Sequence, residues 1–375
     1  MTLELRPHRL PIAPLTLAAA PLLLGSAAAM ALDINDKLEL NGLIAGAYQC
    51  QQVSGVPDVE DACRAAGVFQ PEVFYNPTEN DQLFLKLGFG AGNGLNNVSP
   101  FSLTPWAADL EDDVKDINGT GRSYLLEAWY AHTFRFGEQS SVQLTGGIID
   151  PAFYINENAY ANDEYTQFSN EIFVNSRNAF LPAYDGGGVI VWKLGDWTFS
   201  GVGMNVGKND DGQNYNWFAG EIDYHLTTKL GEGNYRVMLS GTSAAFLNPA
   251  GTEYEPHKGV SLSFDQELNP VVGAFLRMSW QREDALVEHK ADYSGGLDIN
   301  GKLWHREGDN IGLGYAYLEG GNGDIRHTQA VEAYYRLAIN DYLALTGDVQ
   351  WMQDRIHDAD SPEGWIVGVR AVAEF

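Results

Sequence analysis

From residue 38 to the last residue, apolar and polar side chains alternate with a period of two, and the alternating segments are joined by connections that are by turns short and long. Period two is the signature of a β-strand with two unlike faces. The clearest segment runs from Tyr124 to Phe136. There Leu126, Ala128, Tyr130, His132, Phe134 and Phe136 fall on one face, and Glu127, Trp129, Thr133 and Arg135 on the other. Comparable segments are 38–48, 82–90, 142–150, 187–194, 197–206, 215–226, 235–246, 259–266, 271–281, 293–303, 311–318, 328–337, 342–352 and 364–375. A weaker one, Leu95 to Thr104, brings the expected number to sixteen.

The short connections include GEQSS after Phe136, GD after Leu194, ELNP after Gln266 and AIND after Leu337. Between them lie longer polar links at 49–81, 105–123, 151–184, 207–214, 247–258, 282–291, 320–327 and 353–362. Turns at one end and loops at the other are the asymmetry of an outer-membrane β-barrel, and an even strand number puts both termini on the periplasmic side. The expected fold is therefore all-β: a transmembrane antiparallel barrel of about 16 strands, with short periplasmic turns and long extracellular loops. A soluble β-sandwich shows the same period, but in lipid every backbone donor must be paired, which strands achieve only in a closed sheet.

The C-terminal segment favours the barrel. Trp365, Val367, Val369, Ala371, Ala373 and Phe375 form one apolar face against Gly368, Arg370 and Glu374. A terminal Phe after such alternation resembles the signal by which the barrel-assembly machinery recognises outer-membrane proteins for insertion, which marks that machinery as an expected partner. Phe134, Phe136, Trp197, Tyr224, Trp280, Tyr342 and Trp365 stand near strand ends, where interfacial aromatic girdles form.

The first residues read as an address. Arg6, His8 and Arg9 precede an apolar run from Leu10 to Gly25, and Ala27, Ala29 and Ala31 offer cleavage points. Pro11, Pro14 and Pro21 argue against a membrane-spanning helix here. A cleaved signal peptide over 1–31 is expected, leaving one barrel domain at 32–375. With 23 basic and 50 acidic side chains and a net charge of −27, no basic face is available for a nucleic-acid partner. Eight scattered histidines support no metal site, and no cofactor is implied. The acidic run Asp109 to Asp116 lacks the glycine and spacing of an EF-hand loop, and GVGMNVGKN at 201–209 is one residue short of a phosphate loop.

Three stretches carry a family resemblance: DPAFYINENAYANDEYTQF (150–168), GGLDINGKLW (295–304) and EAYYRLAINDYLALTGDVQWMQD (332–354). They resemble the carbohydrate-selective porins of the OprB type, over about Tyr124 to Phe375. The resemblance implies a sixteen-stranded barrel that passes glucose and other small carbohydrates passively across the outer membrane. Barrels of this size often form homotrimers.

A sugar-selective constriction needs planar hydrogen-bonding groups for hydroxyls and an aromatic face for the C–H side of the ring. The link 151–184 is too long for a plain connection and is expected to fold into the lumen. It offers Tyr154, Asn156, Glu157, Asn158, Asp163, Glu164, Tyr165 and Arg177. The lumen face of 124–136 adds Glu127, Trp129 and Arg135. The plain structural alternative is that Glu127 and Arg135 satisfy each other or the neighbouring wall. Cys50 and Cys63 lie in what reads as the first long loop of an exported chain and are expected to form one disulfide, the alternative being two free thiols. Two other functions remain in play: a general or cation-preferring diffusion pore, which the acidity favours, and a β enzyme of the outer membrane or periplasm acting on sugars or lipids. No nucleophile and base stand at a recognisable spacing for the latter.

Overall fold

A computed structural model describes residues 32–57 and 59–375. The expected signal peptide, 1–31, lies outside the described residues. Sixteen antiparallel strands close into a barrel. In chain order they are β1 (Leu38–Ser54), β2 (Ala62–Thr78), β3 (Asp81–Leu87, continued by Phe89–Ala91), β4 (Leu125–Arg135), β5 (Ser140–Ile149), β6 (Asp185–Leu194), β7 (Trp197–Lys208) and β8 (Asn214–Thr227). The second half comprises β9 (Glu232–Thr242), β10 (Lys258–Asn269), β11 (Val272–Gln281), β12 (His289–Asn300), β13 (Asn310–Gly320), β14 (Ile325–Ala338), β15 (Leu343–Ile356) and β16 (Glu363–Glu374).

Closure joins β1 to β16, in register from Leu43 opposite Glu374 to Ser54 opposite Glu363. At its foot the Phe375 amide donates to the Gly42 carbonyl at 3.0 Å, and the Gly42 amide donates back at 2.9 Å. With no free edge, every strand finds a partner on both sides, which is what a strand in lipid requires.

The burial pattern is inverted relative to a soluble β protein. Trp365, Val367 and Val369 are 54%, 54% and 62% exposed, whereas Ile366, Arg370 and Val372 on the opposite face of the same strand are buried. Around the barrel Ile44, Tyr130, Ile190, Phe218, Leu239, Leu276, Tyr315 and Leu345 also point outward. Arg277, Asp292, Asp265, Glu332 and Asp348 point inward and are buried. An apolar exterior around a charged interior suits a bilayer and not water. Aromatic pairs mark the strand ends, with Trp197 against Tyr224 at 4.5 Å and the Trp280 indole N–H donating to the Tyr293 hydroxyl at 3.0 Å.

Two sequence expectations are corrected here. Residues 62–78, read as part of a loop, form β2, while Leu95 to Thr104, read as a weak strand, is not a strand. In β2 the inward Ala66, Val68 and Phe74 are as apolar as the outward Phe69, Val73 and Tyr75, so the period-two contrast is weakened and only Gln70 and Glu72 keep it, while Pro71 adds a break signal. Cys50 and Cys63 therefore sit on paired strands as register partners and are joined by a disulfide; they do not lie in a loop.

A further correction concerns β4. Lys86 pairs with Glu127 but Leu87 pairs with Leu125, so Leu126 is an extra residue. This bulge turns Leu126 inward against Val114, Ile117 and Tyr184, away from the outer face expected for it.

Candidate functional site

Two of the eight loops are long, 92–124 and 150–184, and both fold into the barrel. Side chains of both segments pack against the inward faces of the strands. Their side chains supply much of the apolar interior: Leu95, Leu103, Trp106 and Leu110 from the first, Ile155, Phe168, Ile172 and Phe173 from the second.

The wall holds loop 150–184 through its backbone. Glu332 on β14 accepts from the Ser169 and Asn170 amides at 2.6 and 2.9 Å. Glu221 on β8 accepts from the Asn156 amide at 2.9 Å. On the donor side, Arg370 of β16 reaches the carbonyls of Glu164 and Gln167 at 2.7 and 2.6 Å. Arg277 of β11 is fully buried and donates to the carbonyls of Phe173 and Asn156 at 2.8 and 2.9 Å and to Asn162 Oδ1 at 3.1 Å. Charged donors and acceptors aimed at orphan backbone groups make each contact stronger than a neutral hydrogen bond.

Wall glycines give the loop room. A Cβ at Gly314 would sit 2.8 Å from the Phe173 ring and 2.9 Å from that of Phe168, and one at Gly273 would overlap the Tyr160 ring. Loop 92–124 is held the same way: Asp354 of β15 accepts from the Ser102 amide at 2.7 Å, and Gln350 donates to the Pro105 carbonyl at 2.9 Å. The two loops also meet, the Trp106 indole N–H donating to the Glu164 carbonyl at 3.1 Å.

Between these loops and the wall lies a passage of about 1060 Å³. On one side Lys86 stands among Glu72, Asp109, Glu127 and Asp150, with Glu72 at 3.5 Å. On another Arg177 lies between Glu171 at 2.8 Å and Glu288 at 3.0 Å. Altogether ten carboxylate side chains line the passage, against Lys86 and Arg177. Within loop 150–184, burial, reinforced by Asp163 and Asp109, pushes the Glu164 carboxyl up to about 8.

A group raised in this way is neutral below that pH and charged above it. The passage should thus gain negative charge as pH rises from about 7 to 9, and its cation preference should rise with it. Reversal potentials across a salt gradient would show this, and Glu164→Gln should flatten the rise; a rise of equal size in the variant would assign it elsewhere.

The expected site residues divide into three groups. Glu127, Asp163, Glu164, Tyr165 and Arg177 line the passage. Trp129, Tyr154, Asn156 and Glu157 do not. Trp129 packs on Phe84 at 5.0 Å and donates to Glu127 at 3.0 Å, and Tyr154 turns into the apolar interior. Asn156 bonds Ser176, and Glu157 is exposed away from the passage while its carbonyl accepts from Ser263 at 2.8 Å. Arg135 is a correction: it lies at the turn after β2, donating to the Glu79 carbonyl at 3.0 Å and to Asn80. It shares a face with Glu127, but eight residues of strand separate them by about 26 Å. Nor do Glu127 and Arg135 pair with each other; Glu127 accepts from Trp129 and from the Asp150 amide at 3.3 Å.

Lys86, Glu72 and Asp109 were not anticipated. Glu72 lies on the unread strand. Lys86 was legible as an inward lysine in the alternation Gln82, Phe84, Lys86.

A closed sixteen-stranded barrel with a lipid-facing apolar exterior, two inward-folded loops and a charged passage defines an outer-membrane porin. The chain belongs to the carbohydrate-selective porin, OprB family, whose model matches residues 92–375. It is thus a multi-pass protein of the bacterial outer membrane and a passive carbohydrate channel, and family and fold are those of a channel rather than an enzyme. Among solved structures it is similar to the high-pH structure of Pseudomonas putida OprB, with a TM-score of 0.74 at 12% identity, covering 92% of this chain and 95% of that one. It is also similar to the outer-membrane channel DcaP of Acinetobacter baumannii, with a TM-score of 0.57 at 12% identity over 90% and 97% of the two chains. An uncharacterized protein of Aquifex aeolicus (strain VF5) is 29% identical over 281 residues, 73% of this chain and 79% of that one.

Proposed function

We propose that the passage serves small neutral sugars of the glucose type and turns away anionic derivatives, with loop 150–184 as its constriction. The observation that carries this is the charge of the lining, ten carboxylates against one lysine and one arginine. Such a lining repels negative solutes before they reach the narrow region. Neutral sugars are indifferent to the field yet find planar carboxylate, amide and guanidinium groups for their hydroxyls. Insertion through the barrel-assembly machinery is supported by the outward apolar edge Trp365, Val367 and Val369 ending at Phe375.

Liposome swelling tests the reading. Glucose should enter several-fold faster than glucuronate at neutral pH. Equal rates would remove the charge discrimination. The same carboxylates favour a cation-preferring pore as a second reading, and a channel that conducts cations but takes up no glucose would establish it in place of the first.

A further inference from the structure

The aromatic residues expected to face the sugar, Trp129 and Tyr154, are turned into the wall. A different ring is left in the water. Among the described residues that line the passage, Phe153 is the exposed aromatic, at 58%, while Phe74 and Phe180 are half-buried and Phe84, Trp106, Tyr165 and Tyr184 are buried. A phenyl ring in a charged, water-filled channel forgoes the stabilisation that burial would bring, although its neighbour Tyr154 finds cover one residue away.

The ring is also held in place. Phe153 ends a single 3-10 turn, Pro151–Phe153, in which Pro151 fixes the first backbone angle and Asp150 Oδ1 accepts from the Ala152 amide at 2.9 Å. The Asp150 amide in turn donates to Glu127 at 3.3 Å. Edge-on contact with Tyr154, at 5.3 Å and 77° between ring planes, steadies the phenyl from behind. One short segment therefore carries a positioned apolar face beside carboxylates that line the same passage.

We propose that Phe153 is the stacking platform of the channel, on which the C–H face of a pyranose ring lies while its hydroxyl edge meets Lys86, Glu127 and Asp150. The negative face of an aromatic ring attracts the weakly positive C–H groups that a pyranose presents on one flat side. An acyclic polyol offers comparable hydroxyls but no flat C–H face. Phe153 thus makes the channel discriminate cyclic sugars from open-chain ones. This rests on the carbohydrate reading of the passage.

The test is block of single-channel current by glucose and, separately, by sorbitol, in the full barrel and in Phe153→Leu and Phe153→Tyr. Leucine keeps an apolar side chain and removes the flat ring, and because the position is exposed the barrel should assemble normally. Phe153→Leu should raise the half-blocking concentration of glucose about fivefold, leave that of sorbitol unchanged, and be rescued by Phe153→Tyr. Unchanged glucose block in Phe153→Leu, or equal loss for glucose and sorbitol, would overturn the platform and leave the sugar channel standing. Absence of glucose block in the unmodified protein would overturn the carbohydrate reading and the platform with it.

Discussion

Deleting residues 155–175 should raise single-channel conductance several-fold and abolish block by glucose, while the barrel still inserts. The segment contains Ile155, Phe168, Ile172 and Phe173, all buried in the lumen, so its removal replaces packed side chains by water. Nothing in the strand lattice depends on it: β5 and β6, which it joins, pair directly from Ser140 opposite Leu194 to Ile149 opposite Asp185. The wall charges it covers, Glu332, Glu221 and Arg277, would pass into water and not into lipid, so the deletion leaves no charge stranded in a low dielectric. Bilayer recordings read the conductance directly. A heat-resistant barrel with unchanged conductance would mean that the segment does not restrict the passage.

Arg277→Met should release loop 150–184 without unfolding the barrel. The guanidinium draws together Asn156, Asn162 and Phe173, three points spread along the loop, and it is fully buried. Removing it strands three acceptors that have little access to water, at a cost of about 3 kcal/mol, or roughly a hundredfold in the closed-to-open ratio of the loop. The readout is trypsin cleavage after Arg177, which is half-buried and held by Glu171 and Glu288 in the intact protein. Rapid cleavage there, with openings of larger conductance, is the expected result. Resistance equal to that of the unmodified protein would show that the remaining contacts from Glu332, Glu221 and Arg370 hold the loop alone. Arg135→Ala is the matched control, because Arg135 serves a turn far from the loop.

Much of the architecture was legible because lipid imposes it. Wherever one strand face meets lipid and the other a charged lumen, as from Tyr342 to Met352 or from Trp365 to Phe375, the two faces differ in composition and the period appears. The pattern failed where that contrast failed. β2 carries apolar residues on both faces because loop 92–124 covers its inner side, with Ala66 and Val68 packing beside Trp106 and Leu110. The same packing explains why Leu95 to Thr104 imitated a strand: its Leu95, Phe101 and Leu103 are buried among Phe168, Phe173 and Phe275, although the segment has no strand partner. A bulge at Leu126 was invisible because it changes register without changing composition.

The site was legible in kind more than in detail. Loop length marked 150–184 as the segment to watch, and Glu127, Glu164 and Arg177 do line the passage. Strand phase, however, gives only the face on which a residue lies. It gives no height along the barrel, which is why Arg135 was grouped with Glu127. Inside an irregular loop even the face is unreadable, so the neighbours Phe153 and Tyr154 could not be told apart, although one is exposed and the other turned into the wall.

The most direct test of the central claim is single-channel recording of the refolded protein, residues 32–375, in a planar bilayer with and without millimolar glucose. Stepwise conductance that falls as glucose is added is the predicted result, since a sugar held weakly in the passage interrupts the ion path. Steps indifferent to glucose, or no steps at all from a heat-resistant barrel, would contradict a sugar-selective channel.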